Sequence, residues 1–225
     1  KKWLFTCILK FLEHINEFIP CFWNLNSMFF EFVNVINDTG SVCCIRNAIY
    51  RPKDAPGTCV TCAMEGARPV LAEVQALIAP ASAANPRRMS NGFDYNRFAM
   101  LLAVLEKRGN LKVSQCDAYL NIIGGLTLEE PAADLSAVVA IASSYLDKPV
   151  PSHMAAIGEV GLSGEIRSIN HMEQRLSEVQ RLGFTQCIVP EHRVKEMKEL
   201  PHLELLPVQN VAQALQLLVQ GKLMK

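Results

Sequence analysis

The sequence predicts an α+β fold in which helices pack on a mixed β-sheet. Its 225 residues suit one large domain, or one domain with an appendage, and can bury a sizeable core. Half of the residues are apolar and a fifth are charged, which is the composition of an ordinary globular protein. From residue 51 onward, helical and strand-like patterns mix without the strict alternation of βαβ units, so an α+β arrangement is favoured.

The first fifty residues differ from the rest, and we divide the chain into residues 1–50 and 51–225. The first part is rich in Phe, Asn and Cys. Charged and polar side chains such as Lys10, Glu13 and Glu17 interrupt it before an apolar stretch of about 20 residues can form, so a membrane span is not predicted. A signal peptide is not predicted either, because no small-residue cleavage site follows a clean apolar core. We interpret this part as an artefactual leader or as the divergent end of a preceding domain.

Two strands open the second part. Pro52, Pro56 and Gly57 mark the boundary before them. The segments TCVTCAM and RPVLAEVQALIA read as strands joined by a turn at Glu65 and Gly66, and apolar residues alternate along the second one. The segment APASAANPRRMSNG that follows is predicted to be a loop, because it is made of small residues, prolines and two arginines.

Four helices and several strands are predicted after this loop. In FDYNRFAMLLAVLEKRG, Phe98, Leu101, Leu102 and Leu105 have helical spacing, and Gly109 ends the helix. AYLNIIGG is a strand, and residues 132–145 form the second helix. MAAIGEV and GEIRSI are short strands around a glycine turn. HMEQRLSEVQRLG is a helix with a glycine cap, TQCIVP is a buried strand and NVAQALQLLVQG is the last helix.

Several common chemistries lack the residues that they need. No Gly-x-x-x-x-Gly-Lys-Ser/Thr motif is present for binding nucleotide phosphates, and GEVGLSGE is better read as a hairpin turn. Cys59 and Cys62 form a Cys-x-x-Cys, which Cys43 and Cys44 could complete as a zinc site. In a strand, however, residues three apart point to opposite faces, so zinc is disfavoured. The five histidines are scattered, and we assign no role to them.

Four segments carry a resemblance to a known family. They are GTCVTCAMEGARPVLAEVQAL, NPRRMSNGFDYNRFAMLLAVLEKRG, YLNIIGGLTLEEPAADLSAVVAIASS and GEVGLSGEIRSI, in this order. Residues 51–218 resemble the C-terminal domain of the bacterial-type DNA repair proteins of the RadA family, also called Sms. That domain is similar to the proteolytic domain of Lon. The resemblance implies a ribosomal-protein-S5-domain-2-like fold.

The resemblance also implies that the peptidase chemistry of Lon is missing. In Lon, the stretch matching EEPAADLSA carries a nucleophilic serine, and the helix matching HMEQRLSEV carries a lysine that takes its proton. These places hold Ala132 and Arg175. Alanine has no nucleophile, and arginine stays protonated. The alternative is an ATP-independent remnant of a Lon-like serine peptidase with an unorthodox nucleophile, for which Ser136, Ser143 and Ser144 lie in the same helix.

Charge is unevenly distributed along a chain whose formal net charge is zero. Residues 85–112 hold six basic and two acidic side chains, whereas residues 113–165 hold one basic and seven acidic ones. A basic loop and helix can hold DNA phosphates without reading sequence. The candidate DNA contacts are Arg87, Arg88, Arg97, Lys107, Arg108 and Lys112. The other interpretation is that these side chains only solvate an exposed helix face. The acidic region could equally meet a basic patch on a neighbouring subunit.

The resemblance sets the remaining expectations. Full-length relatives carry a zinc finger and a RecA-like ATPase, form hexameric rings on DNA and drive branch migration in recombination. We find neither the finger nor the ATPase motif in this sequence, so ATP, magnesium and zinc are expected only in full-length relatives. DNA and further copies of the chain are the expected partners, recombination proteins are further candidates, and no membrane is expected. The expected compartment is the cytoplasm for a bacterial source, and the chloroplast or mitochondrion for a eukaryotic one.

Overall fold

The computed structural model describes residues 55–81, 85–192, 194 and 200–219. Our interpretation of residues 1–50 lies outside the described residues. Among the helices of the described part, none is long and apolar enough to cross a membrane.

A mixed seven-stranded sheet dominates the described residues, with the strand order β3-β4-β2-β1-β5-β8-β9. The β1–β2 and β2–β4 pairs are antiparallel, and the other neighbours in this sheet are parallel. A separate hairpin pairs β6 with β7. The strands are β1 (Thr58–Glu65), β2 (Arg68–Pro80), β3 (Arg88–Asn91), β4 (Cys116–Ile122), β5 (Met154–Ala156), β6 (Glu159–Val160), β7 (Ile166–Arg167), β8 (Gln186–Pro190) and β9 (Glu204–Val208).

The helices complete the predicted α+β fold. They are α1 (Tyr95–Arg108), α2 (Asp134–Leu146), α3 (Met172–Arg181) and α4 (Val211–Val219). Two short 3₁₀ turns, Val113–Gln115 and Pro131–Ala133, precede β4 and α2. Helices on a mixed sheet are what the sequence predicts, and the α+β class is confirmed.

Helix α2 lies at the centre of the core. Every residue from Asp134 to Ser143 is buried, which is typical of a helix that is covered on all sides. Its small Ala, Ser and Val side chains allow α2 to pack closely against β1 and β2, while α1 and α4 pack against α2 itself. Helix α3 also packs on β1 and β2, but on the face of the sheet opposite to α2. Cys62 and its register partner Leu71 lie on this face.

Most predicted elements are present, and their local signals have the expected physical causes. Gly66 adopts φ +61° in the turn between β1 and β2, a conformation that glycine tolerates well. Asp94 caps α1, because its side chain accepts a hydrogen bond from the Arg97 N–H at 2.7 Å. The four apolar side chains used to predict this helix are all buried.

Two parts of the prediction are wrong. Arg88–Asn91, in the predicted loop, forms strand β3 and pairs with β4. MAAIGEV is not one strand: Met154–Ala156 joins the large sheet, whereas Glu159–Val160 belongs to the separate hairpin. Strand β9 was not predicted.

Candidate functional site

Ala132 lies in the 3₁₀ turn that leads into α2, and it is 2% exposed. Its carbonyl oxygen accepts a hydrogen bond from the Gly158 N–H at 3.0 Å, and the Gly158 carbonyl accepts one from the Leu135 N–H at 3.0 Å. The position that motif matching assigns to the Lon serine is a buried alanine, fixed by backbone hydrogen bonds to the loop between β5 and β6.

Arg175 lies on α3 and is 2% exposed. Its guanidinium donates to both carboxylate oxygens of Glu130, each at 2.6 Å. It also donates to the carbonyl oxygens of Cys62 at 2.6 Å and Asn170 at 3.1 Å. A planar fork with several donors suits this bidentate arrangement, and a lysine could not reproduce it.

Glu130 connects the N-terminal end of α2 to the sheet. Besides the two Arg175 bonds, its Oε1 accepts a hydrogen bond from the Met64 N–H at 2.6 Å. The Glu130–Arg175 ion pair therefore joins three elements: the turn before α2, strand β1 and helix α3. A protonated guanidinium in this place cannot accept the proton of a nucleophile.

The hydroxyl groups of the three serines of α2 all form hydrogen bonds within the fold. Ser136 is fully buried and donates to the Ala133 carbonyl at 2.7 Å. Ser143 donates to the Lys148 carbonyl and accepts from the Gly57 N–H at 2.9 Å, and Ser144 accepts from the Ile78 N–H at 2.9 Å. These hydroxyls tie α2 to its own backbone and to the sheet.

The nearby cysteine thiol does not supply a nucleophile either. Cys62 is buried beside α3, and burial raises the pKa of its thiol to about 12, although the Arg175 guanidinium acts in the opposite direction. Cys59 and Cys62 both lie on β1, as predicted, with the opposite orientations expected for residues three apart in a strand. Within the described residues, no group of three or more His, Cys, Asp or Glu side chains could hold a metal ion.

The six predicted DNA contacts fall into two groups. Arg87, Lys107, Arg108 and Lys112 are exposed. Arg87, Lys107 and Lys112 lie near the Val113–Gln115 turn: Lys112 precedes this turn, Glu106, beside Lys107, bonds to Ser114 within it, and the Arg87 N–H bonds to Asp117 just after it. Arg108 ends α1, and its side chain lies against Gly164 in the β6–β7 hairpin. Of the three aromatic residues in this region, Phe93 and Phe98 are buried in the core and Tyr95 is 52% exposed.

Arg88 and Arg97 are engaged with other groups of the protein. The Arg88 guanidinium donates to the carbonyl oxygens of Val113 and Ser114 in the 3₁₀ turn and of Cys116 directly after it. Arg97 donates through Nε and Nη2 to the two carboxylate oxygens of Asp134, the first residue of α2. Whether either arginine also contacts DNA stays a prediction.

Asp134 is fully buried and joins three elements. It accepts from Arg97 of α1 and, at 3.0 Å, from the Val160 N–H of β6. Burial raises the pKa of its carboxyl group, while the Arg97 hydrogen bonds and the Val160 N–H act against this shift. Asp134 belongs to the acidic region that could meet a basic patch on a neighbouring subunit, but its partner in the structure is a basic residue of the same chain.

Comparison with known proteins places this geometry in a family. Residues 113–221 match the model of the Lon protease (S16) C-terminal proteolytic domain. Both Ala132 and Arg175 lie within this matched range. The fold and this match define a Lon-protease-like domain.

Three relatives narrow the assignment. The chain is 46% identical over 171 residues to DNA repair protein RadA of Bacillus subtilis, 43% over 166 residues to that of Halalkalibacterium halodurans and 44% over 161 residues to that of Streptococcus pneumoniae. These alignments cover 72–76% of this chain but only 36–38% of the relatives. The chain belongs to the RadA family through its C-terminal, Lon-like domain, and it spans well under half the length of these relatives.

Sequence reasoning missed the partners that complete this site. Glu130 and Glu106 were not singled out, and Asp134 was counted only as a charge. Glu130 directly precedes the proline before α2. Because arginine replaces lysine at position 175, a carboxylate near this end of α2 could have suggested an ion pair. Glu130 and Arg175 are 45 positions apart in the sequence, so no local pattern indicates that they form a pair.

Proposed function

We propose that this chain is a non-proteolytic Lon-like domain of a RadA-type DNA repair protein. It contributes sequence-independent DNA binding and self-association to recombinational repair and branch migration. The observation that carries the non-proteolytic part is the ion pair of the buried Arg175 with Glu130, because it engages the residue at the position of the Lon lysine. Ala132 supplies no nucleophile, and Arg175 supplies no base.

We predict that the chain does not cleave peptides. Ser136 is the serine nearest Ala132 in the sequence, but its hydroxyl is buried and donates to the backbone. The measurement is hydrolysis of an unstructured protein such as casein by the full chain and by its Ser136→Ala variant. Cleavage that the wild type shows and the variant loses would contradict the proposal, whereas cleavage by both would indicate a contaminating peptidase.

The proposed DNA surface consists of Arg87, Lys107, Arg108 and Lys112, which we call the basic surface. No hydrogen bond or ion pair is seen for these four charged groups among the described residues. Two acidic side chains lie nearby, but Asp117 accepts from the Arg87 N–H and Glu106 accepts from the Ser114 N–H, both at 2.7 Å. Exposed cations on neighbouring elements suit phosphate contacts that do not depend on base sequence.

We expect DNA affinity to fall with rising salt, and alanine substitution in the basic surface to flatten this dependence. Each lost phosphate contact lowers the slope of log affinity against log salt by about 0.9 for duplex DNA. The measurement is fluorescence anisotropy of a labelled duplex and a labelled single strand, over a salt series, with Arg87→Ala, Lys107→Ala, Arg108→Ala and Lys112→Ala.

The matched control is Arg68→Ala. Arg68 is also exposed, but it lies at the first residue of β2. Arg87 lies near the last residues of β2, because its N–H bonds to Asp117, which pairs with Ala79 of that strand. We expect this control to leave the slope unchanged. A full chain that is folded but binds neither DNA would contradict the proposed DNA binding. Binding whose slope is equally changed by the control would contradict the choice of surface.

Self-association is the other part of the proposal. The chain mass is 25.0 kDa, and a larger particle in light scattering would support assembly. The compartment that we propose for a bacterial source is the cytoplasm, since the RadA relatives named above are bacterial.

A further inference from the structure

We propose that Arg88 is a positioning residue of the basic surface: it holds the Val113–Gln115 turn, and with it Lys112, in place and does not itself bind phosphate. This inference rests on the proposed DNA binding and assigns Arg88 a different role from the other cations. It changes the prediction made from sequence, which grouped Arg88 with the DNA contacts.

The donors of Arg88 are already in use. Nη2 donates to the carbonyl oxygens of Val113 at 2.9 Å and Ser114 at 3.2 Å, and Nη1 donates to Cys116 and, at 3.0 Å, to Arg87. A guanidinium has five N–H donors, and a bidentate phosphate contact needs two of them. The four bonds leave one N–H donor, so binding a phosphate in this way would require Arg88 to release at least one of these carbonyl oxygens.

The carbonyl oxygens that Arg88 holds lie at one end of strand β4. Val113 and Ser114 belong to the 3₁₀ turn, and Cys116 begins the strand. Short 3₁₀ turns have poor internal hydrogen-bond geometry, so an external clamp contributes much of their order. Arg88 supplies the clamp from β3, which pairs with β4 in parallel register.

Helix α1 holds the same turn through a second side chain. The carboxylate of Glu106 accepts from the Ser114 N–H at 2.7 Å and from the Ser114 hydroxyl at 2.6 Å. Ser114 is thus bound by Arg88 through its carbonyl and by Glu106 through its donors. Glu106 directly precedes Lys107 and Arg108, so this contact also ties the turn to the end of α1 that carries two cations of the basic surface.

Lys112 is the residue whose position depends most directly on this clamp. It is exposed and immediately precedes Val113, and its own carbonyl accepts a weak hydrogen bond from the Cys116 thiol at 3.7 Å. If the turn is released, Lys112 gains backbone freedom and loses its fixed place relative to Lys107 and Arg108. Ordering it again on DNA costs conformational entropy, and affinity falls.

A double-mutant cycle on DNA affinity tests this inference. The variants are Arg88→Lys, which keeps the charge but loses the planar fork, Arg88→Gln, Lys112→Ala and the two combinations. We expect Arg88→Lys to weaken binding about three- to tenfold in the wild-type background and less than about twofold beside Lys112→Ala, because the two residues act through one element. Glu106→Gln and its combination with Lys112→Ala should show the same non-additivity, although the loss is smaller because the amide keeps one acceptor oxygen.

A direct phosphate contact predicts a different outcome. In that case Arg88→Lys retains most of the affinity, Arg88→Gln lowers the salt slope by about 0.9, and both effects add to that of Lys112→Ala. This result would overturn the inference while leaving the proposed DNA binding intact. If the wild-type chain binds no DNA, the proposed function fails instead.

A second readout covers variants that lose stability. Amide hydrogen exchange of Ser114 and Cys116 in the free chain should quicken in Arg88→Lys and Arg88→Gln, while exchange in the core strand β1 should stay slow. Arg68→Lys, a matched change of an exposed arginine on β2, should alter neither quantity. Unchanged exchange at Ser114 and Cys116 in both Arg88 variants would overturn the inference.

Discussion

Replacement of Arg175 by alanine is expected to lower the free energy of unfolding by about 3 kcal/mol, because it breaks a buried ion pair and leaves its partner uncompensated. The substitution removes the bidentate contact to Glu130 and the donors to the carbonyl oxygens of Cys62 and Asn170. The Glu130 side chain is 27% exposed, so water can reach its carboxylate and keeps the loss from being larger. Urea-induced unfolding followed by circular dichroism measures the difference.

Arg175→Lys and Arg181→Ala bracket this result. Lysine keeps the charge but cannot bond both Glu130 oxygens and the two carbonyl groups together, so we expect a loss of about 1–2 kcal/mol. Arg181 lies on the same helix and pairs with Glu178, but half of its side chain is exposed. Its replacement should therefore cost less than about 1 kcal/mol. If Arg175→Ala lowers the free energy of unfolding by no more than Arg181→Ala does, the Glu130–Arg175 ion pair does not stabilise the N-terminal end of α2.

The elements that the sequence predicted well carry their own local signals. Helix α1 has an N-cap, apolar side chains at helical spacing and a glycine at its end, and the β1–β2 hairpin has a glycine turn. Strand β3 has none of these signals. Arg88–Asn91 follows a run of small residues and prolines, and it is a strand because β4 lies beside it and Asn91 bonds to Asn121 at 2.7 Å. Contacts with residues about 30 positions away decided its conformation, and no local pattern reports them.

The candidate site shows the same division. The assignment of Ala132 and Arg175 to the serine and lysine positions of Lon comes from matching motifs alone, and it stays a prediction. The ion-pair partners could not be predicted in this way: Glu130 lies 45 residues from Arg175, and Asp134 lies 37 residues from Arg97. Grouping charges along the chain placed Arg97 on a basic surface and Asp134 on an acidic one. Folding brings the two together, and the apparent division of charge is partly neutralised inside the domain.

The Arg97–Asp134 pair leads to the second large effect. Replacement of Asp134 by alanine should lower the free energy of unfolding by about 3 kcal/mol, because a fully buried carboxylate that serves Arg97 and the Val160 N–H disappears. The Arg97 side chain is 25% exposed, so water compensates part of its lost partner. Loss of Asp134 also releases the β6–β7 hairpin from α2. Urea unfolding gives the free energy, and hydrogen exchange at Val160 should quicken.

Asp134→Asn and Asp147→Asn form a matched pair at opposite ends of α2. At position 134 the amide keeps an oxygen for the Val160 N–H but loses the ion pair, so we expect a loss of about 2 kcal/mol. Asp147 is exposed and has φ +53°, a left-handed conformation that asparagine also adopts, so its change should stay within about 0.5 kcal/mol. Equal losses at the two positions would mean that general charge at the helix ends, and not the Arg97 contact, accounts for the effect. A larger loss at Asp134 than at Asp147 would instead support a stabilising contact of Arg97 with this carboxylate, as its geometry in the structure indicates.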